Sequence, residues 1–290
     1  MLIHTRRKFL ITAGVFAAGT LALGEDTVVR EPNHPQLVEI EMSLPRLPAA
    51  FDGFRIAQLS DFHYDEVFSV VPTRAAVAMV NRSDVDLIVL TGDFVTGPYE
   101  KPRRHDKKSA RMAEPCAQLL SGLRSRHGSL AVLGNHDVLT NPAFVSEALQ
   151  AHGIPVLRNG SRAFERNGSR LWFCGLDSQE GDPDLIAAMR GIPQDEAVIL
   201  LAHEPDFADE AAKYPVDLQL SGHSHGGQIW LPVVGAPWLP PFARKYPRGR
   251  YQIGRLPLYT NMGLGTIRIP VRLNCPPEVT LVTLRTGKAT

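Results

Sequence analysis

The sequence predicts a layered α/β fold, and three observations predict it. Short continuous apolar runs recur along the chain, helix-like segments separate them, and five of the runs end in a fragment carrying oxygen or imidazole donors. Continuous apolar runs suit strands buried on both faces. Strands that alternate with helices stack into layers.

The elements follow in order. Residues 38–44 alternate apolar and polar, as an edge strand with one wet face does. The run 55–60 ends at Asp61, and 73–81 reads as a helix. The run 86–91 ends at Asp93, and 112–123 reads as a second helix. The run 129–133 ends at Asn135 and His136, and 142–152 is a third helix. The run 197–201 ends at His203, where Pro205 suits the first turn of a helix. The run 217–220 ends at His223, and Val279, Leu281, Val282 and Leu284 belong to a final core strand.

The donor fragments are Asp61-Phe62-His63, Gly92-Asp93, Gly134-Asn135-His136-Asp137, His203 and Gly222-His223-Ser224-His225. In α/β sheets ligands gather at the carboxyl ends of strands, which is where all five fall. Residues i and i+2 of an extended chain point the same way, so Asp61 pairs with His63 and His223 with His225. Gly92 lets the backbone before Asp93 come close to a cluster. The donors are carboxylate, amide and imidazole with no thiolate, a set that suits Mn, Fe or Zn. Singly, each fragment has an ordinary explanation, such as a turn or a core histidine. Their conjunction, in order and each at a run end, predicts a two-metal site and phosphoester hydrolysis.

From Phe54 to the C-terminus this pattern resembles the calcineurin-like metallophosphoesterase superfamily. The stretches Gly263-Leu264-Gly265-Thr266, Pro270-Val271-Arg272 and Cys275-Pro276-Pro277-Glu278 resemble a branch of exported bacterial phosphodiesterases. The resemblance implies a two-sheet α/β sandwich with helices outside. It also implies that Asp61, His63 and His225 hold one metal, that Asn135, His203 and His223 hold the other, and that Asp93 bridges them. His136 matches a residue near the leaving group that is proposed as general acid. Asp137 either orients His136 or caps the turn. Two ions about 3.5–4 Å apart can share a hydroxide and clamp the phosphoryl oxygens. Phosphoprotein phosphatases extend the second motif to Gly-Asp-x-x-Asp-Arg-Gly, whereas this chain continues Phe94-Val95-Thr96-Gly97. A phosphodiester or pyrophosphate substrate is therefore expected in place of a phosphoprotein.

Thr5-Arg6-Arg7-Lys8-Phe9-Leu10 sets paired arginines before an apolar stretch that is short for a membrane span. It reads as a twin-arginine export signal over residues 1–24, cleaved after Gly24 or kept as an anchor, with one phosphoesterase domain over 25–290. The expected location is the periplasm or cell envelope, and the expected partners are the export machinery and an envelope phosphodiester, lipid or polymer. A net charge of +1 argues against broad nucleic-acid binding. Cys116, Cys174 and Cys275 are far apart and odd in number, as buried thiols are, though one pair could bridge. Asn261 and Gly263 either approach the metals or serve the local loop.

Two basic stretches, 101–108 and 244–250, and the aromatic, proline-rich loop 230–242 should emerge beside the site. They form either a membrane-facing rim or a loop packed on its own domain. Two other functions stay open: a pyrophosphatase acting on a nucleotide-linked lipid, and a non-catalytic metal-binding scaffold.

Overall fold

The computed structural model describes residues 24–97 and 110–287. The leader and the first basic stretch, 101–108, lie outside the described residues. Two sheets stand face to face. The first has the order β1-β11-β2-β3-β4, and the second β5-β6-β7-β8-β10-β9.

The first sheet joins β1 (Gln36–Leu44), β2 (Arg55–Leu59), β3 (Leu87–Leu90), β4 (Ser129–Ala131) and β11 (Glu278–Thr286). β2, β3 and β4 run parallel, and β11 runs antiparallel to β2. β1 sits at the edge, as its alternating pattern predicts. The second sheet joins β5 (Gly160–Arg166), β6 (Ser169–Gly175), β7 (Ala197–Leu201), β8 (Leu218–Ser221), β9 (Gly249–Ile253) and β10 (Leu256–Thr260). Its centre, β6-β7-β8-β10, is parallel.

Alternation along the strands divides the apolar side chains between layers. Ile56, Leu87 and Val89 face the second sheet and meet Phe173, Ile199, Leu201 and Leu220. Ala57, Ile88 and Leu90 face outward against α1 (Val70–Val80), α2 (Ala113–Leu120) and α4 (Pro142–Ala151). α3 (Asn135–Thr140) starts within the third donor fragment. Val198, Leu200 and Leu258 face the opposite way, against α5 (Leu185–Ala188) and α6 (Ala208–Ala211). The molecule is thus a two-sheet α/β sandwich with helices outside.

The sequence pattern passes over β6 and β10, although both are apolar, and over β5 and β9, which carry no apolar run. The side chains of β5 and β9 are mostly half-buried or exposed, and their pairing partners hold these two strands in the sheet. Asn167 and Gly168, both at positive φ, turn β5 into β6.

The carboxyl ends of β2, β3, β4, β7 and β8 point to one end of the sandwich. Beyond the strands the ladder continues as loop-to-loop bonds. Asp61 N–H donates to Gly92 O at 2.9 Å, His63 N–H to Asp93 O at 3.0 Å, and Gly222 N–H to His203 O at 3.0 Å. The sheets are tied together there, because the Asp61 carboxylate accepts the His223 backbone N–H at 2.9 Å.

Candidate metal centre

Three groups of donors meet at this end: Asp61, His63 and His225; His63, Asp93 and His136; and Asp93, His203 and His223. Asp93 belongs to two of them. Its Oδ2 lies 3.4 Å from His63 Nε2 and 3.2 Å from His203 Nε2. His225 Nε2 lies 3.3 Å from Asp61 Oδ1 and 3.0 Å from His63 Nε2. Asn135 shares a cleft wall with Asp93, His136, His223 and His225.

Backbone partners orient the rings. His203 Nδ1 is 2.6 Å from Thr91 O, and His223 Nε2 is 2.8 Å from Pro241 O. A carbonyl only accepts, so these nitrogens carry the hydrogens, and the opposite nitrogens face the centre. His136 is set the other way. Its Nδ1 accepts the Gly97 N–H at 2.8 Å, so the neutral ring carries its hydrogen on Nε2.

The residues fit a pair of hard or borderline cations. Asn135 Oδ1 and His225 Nδ1 are buried with no hydrogen-bond partner, an arrangement that proteins otherwise avoid. Asp61, His63, Asp93, His223 and His225 all hold positive φ. Left-handed backbone costs on the order of 1–3 kcal/mol per non-glycine residue and clusters at functional sites. Glycines make the close packing possible. A Cβ on Gly134 would overlap the Asp93 carboxylate, and one on Gly222 would overlap Ser60 and Asp61.

The electrostatics call for positive charge. Burial opposes ionisation of Asp93, yet the imidazoles of His203, His136 and His63 hold its pKa well below the usual carboxylate range. Burial also opposes a charge on His203, but Asp93 outweighs it and raises this imidazole well above its ordinary value. Burial pushes His63 and His225 well down, helped by neighbouring positive groups, and pushes His223 down to about 4. Those three rings are neutral at pH 7, as ligands must be.

Asp137 does not orient His136. Its carboxylate accepts four backbone N–H groups, from Asp93 (2.8 Å), Phe94 (2.9 Å), Val95 (3.1 Å) and Gly134 (2.9 Å). It clamps the β3 loop to the β4 loop, and so holds Asp93 beside Asn135.

The centre lies at the base of a cleft of about 210 Å³, walled by Asn135, His136, Glu180, Glu204, Trp238 and Arg268, among others. Residues 54–227 match the calcineurin-like phosphoesterase family. The chain belongs to that family. It is a hydrolase acting on phosphoesters, and its clustered His and Asp residues suit divalent metal ions.

Relatives of this phosphoesterase cover nearly its whole length. The uncharacterized metallophosphoesterase YkuE of Bacillus subtilis is 37% identical over 97% of this chain and 98% of its own. The phosphodiesterase YaeI of Escherichia coli is 30% identical, covering 97% and 99%. The UDP-2,3-diacylglucosamine pyrophosphatase LpxG of Chlamydia trachomatis is 27% identical, covering 87% and 90%.

Arg268 and Glu204 carry no sequence signal, and the part played by Arg272 and Asn261 is not readable from their motifs. Arg268 reaches the cleft from a loop with no motif. Glu204 is buried beside His203 and accepts the Ser178 hydroxyl at 2.5 Å. Arg272, within one of the C-terminal stretches, is fully buried and bonds the carbonyls of Met262, Gly263, Gly265 and Cys275. It thereby braces the loop whose Gly265 N–H reaches Asp61 O at 2.7 Å. Asn261 braces the same loop from behind through Glu278, Thr280 and Gly263.

The 230–242 loop divides between its two readings. Trp238 and Phe242 stand at the cleft mouth, 47% and 44% exposed. The neighbouring basic residues are engaged within the domain: Lys245 pairs with Asp209, and the Arg248 guanidinium lies 3.6 Å from the Trp230 ring centre. All three cysteines are buried and free.

Proposed function

We propose that this phosphoesterase hydrolyses phosphodiesters at a dinuclear centre. Asp61, His63 and His225 would hold one ion, Asn135, His203 and His223 would hold the other, and Asp93 would serve both. The observation that carries this reading is the position of Asp93, whose Oδ2 stands between His63 Nε2 and His203 Nε2. Two divalent ions bound there would lower the pKa of a shared water and offset charge on the phosphoryl oxygens.

The remaining steps fall to the chain. His136 presents Nε2–H to the departing oxygen, because Gly97 occupies Nδ1. In this geometry it stabilises the leaving group as a hydrogen-bond donor. Acting as an imidazolium acid would require the Gly97 bond to open. Arg268, on the cleft wall, attracts the phosphate. A diester is favoured over a phosphoprotein because the motif after Asp93 lacks the second Asp and the Arg of the protein phosphatases. The relative YaeI, a phosphodiesterase, supports it. Export by the twin-arginine route and an envelope substrate belong to the same proposal and rest on Arg6, Arg7 and the apolar stretch after them. A pyrophosphatase acting on a nucleotide-linked lipid is the second reading, supported by the relative LpxG.

The test compares bis-p-nitrophenyl phosphate with p-nitrophenyl phosphate after metal removal and reconstitution with Mn, Zn or Fe. Metal-dependent preference for the diester, lost in Asp93→Asn, is the expected result. Preference for the monoester would overturn the phosphodiesterase reading. No turnover at confirmed metal occupancy would favour a scaffold.

A further inference from the structure

A second cleft adjoins the first. It holds about 240 Å³, and its walls are Gly227, Ile229, Trp238, Ile267 and Ile269, with His225 at its inner end. His225, Trp238, Ile267 and Arg268 line both clefts, so the two lie side by side. One end therefore abuts the candidate ligand His225, and the other reaches solvent, where Trp238 and Ile269 are 47% and 50% exposed.

The cleft is built rather than incidental. Gln228 joins its two walls: the side-chain amide donates to Ile269 O and Val271 O, each at 3.3 Å, and the side-chain oxygen accepts the Ile267 N–H. Gln228 holds positive φ to do so. Gly227 packs so closely on Ala236 that a Cβ would overlap it. The Arg268 guanidinium lies 5.0 Å from the Trp238 ring centre, at the junction of the two clefts. A cation thus marks the point where an apolar channel meets the phosphate site.

We propose that this cleft binds a hydrocarbon chain carried by the phosphodiester substrate. The proposal rests on the phosphodiesterase reading above and adds the chemical class of one ester group. Recognition sites of this kind pair apolar walls with a few placed polar groups. His136 is not among the described residues that line the apolar cleft. The leaving group therefore sits toward His136, and the chain-bearing ester is the one retained on phosphorus.

Binding and turnover test it separately. Isothermal titration of the metal-loaded protein with methyl, butyl and octyl phosphate, all below micellar concentration, reads affinity without chemistry. A fully buried methylene corresponds to about fourfold in affinity, and a cleft open on one side to roughly twofold, which gives on the order of 100-fold from methyl to octyl. The same order should appear in kcat/KM for methyl, butyl and octyl p-nitrophenyl phosphate. There water adds to phosphorus, the bond to p-nitrophenolate breaks, and alkyl phosphate is the second product.

In Ile269→Ser and Trp238→Ala the octyl-to-methyl ratio should fall severalfold in both measurements, and using the ratio cancels any general loss. A flat series in the unmodified protein, or a rising series that neither substitution changes, would overturn the proposal. If the diesters are not hydrolysed while the affinity series still rises and the substitutions flatten it, the cleft stands and the phosphodiesterase reading fails.

Discussion

Replacing Asp137 by Asn changes one oxygen to an amide nitrogen and leaves the volume alone. Asp137 Oδ2 accepts from Asp93 and Gly134, and Oδ1 accepts from Phe94 and Val95. Either amide rotamer therefore turns an NH2 toward two backbone N–H groups. Burial, helped by the charge on Asp93, pushes Asp137 up to about 7. At pH 8, where it is ionised, two hydrogen bonds to a charged group are lost, worth about 1.5–3 kcal/mol each, and the cost is about 3–6 kcal/mol. That is a large share of a domain stability of about 5–15 kcal/mol. Urea unfolding of the metal-free protein reads this cost directly, with metal content after reconstitution as a second readout. The expected outcome is a large fall in the midpoint together with lost metal affinity, because Asp93 and Asn135 no longer share a fixed frame. If Asp137 instead served His136, the substitution would lower turnover and leave the midpoint alone. A stability loss under about 1 kcal/mol would refute the clamp, since even one such bond exceeds it.

The other predictions concern charge and burial. Asp93 raises His203, so this ring is protonated at pH 7 without metal and must lose its proton to become a ligand. Metal binding at pH 7 should then release about one proton, and affinity should rise with pH; calorimetry in buffers of different ionisation enthalpy measures it, and zero release would contradict the assignment. Burial pushes the thiol of Cys174 up to about 12 and that of Cys116 well above its ordinary value. Thiolate is therefore scarce at pH 8, and Ellman's reagent should react only after denaturation. Arg272, pushed down to about 10 by burial, is still charged at pH 7. Arg272→Met strands the carbonyls it bonds and should cost at least about 3 kcal/mol in denaturant unfolding. His136→Gln keeps a hydrogen-bond donor and should retain more diester turnover than His136→Ala; equal loss in both would favour proton transfer.

Much of the fold was legible because its central strands are buried on both faces. Ile56, Leu87, Val89, Ile199 and Leu201 sit in continuous apolar runs that signal strands wherever they occur. β5 and β9 were not legible, since pairing with neighbours and not their own composition makes them strands; β6 and β10, though apolar, end in none of the five donor fragments and were passed over as well. The candidate centre was legible in its donors, because each follows a strand end and chain geometry carries it to the same end of the sheet.

By itself the sequence determined the layering and the family and pointed to the donors that cluster, all of which reside in local pattern and spacing. Only the tertiary structure decided what surrounds the donors. It gave Asp137 to four backbone N–H groups, set the hydrogen of His136 on Nε2, and buried Arg272 under four carbonyls. It also brought Arg268 and the apolar cleft beside the candidate metal centre. These contacts join residues far apart in the chain whose types carry no local signature. A carboxylate or guanidinium reads alike in any sequence, and burial and partner geometry alone decide what it holds in place.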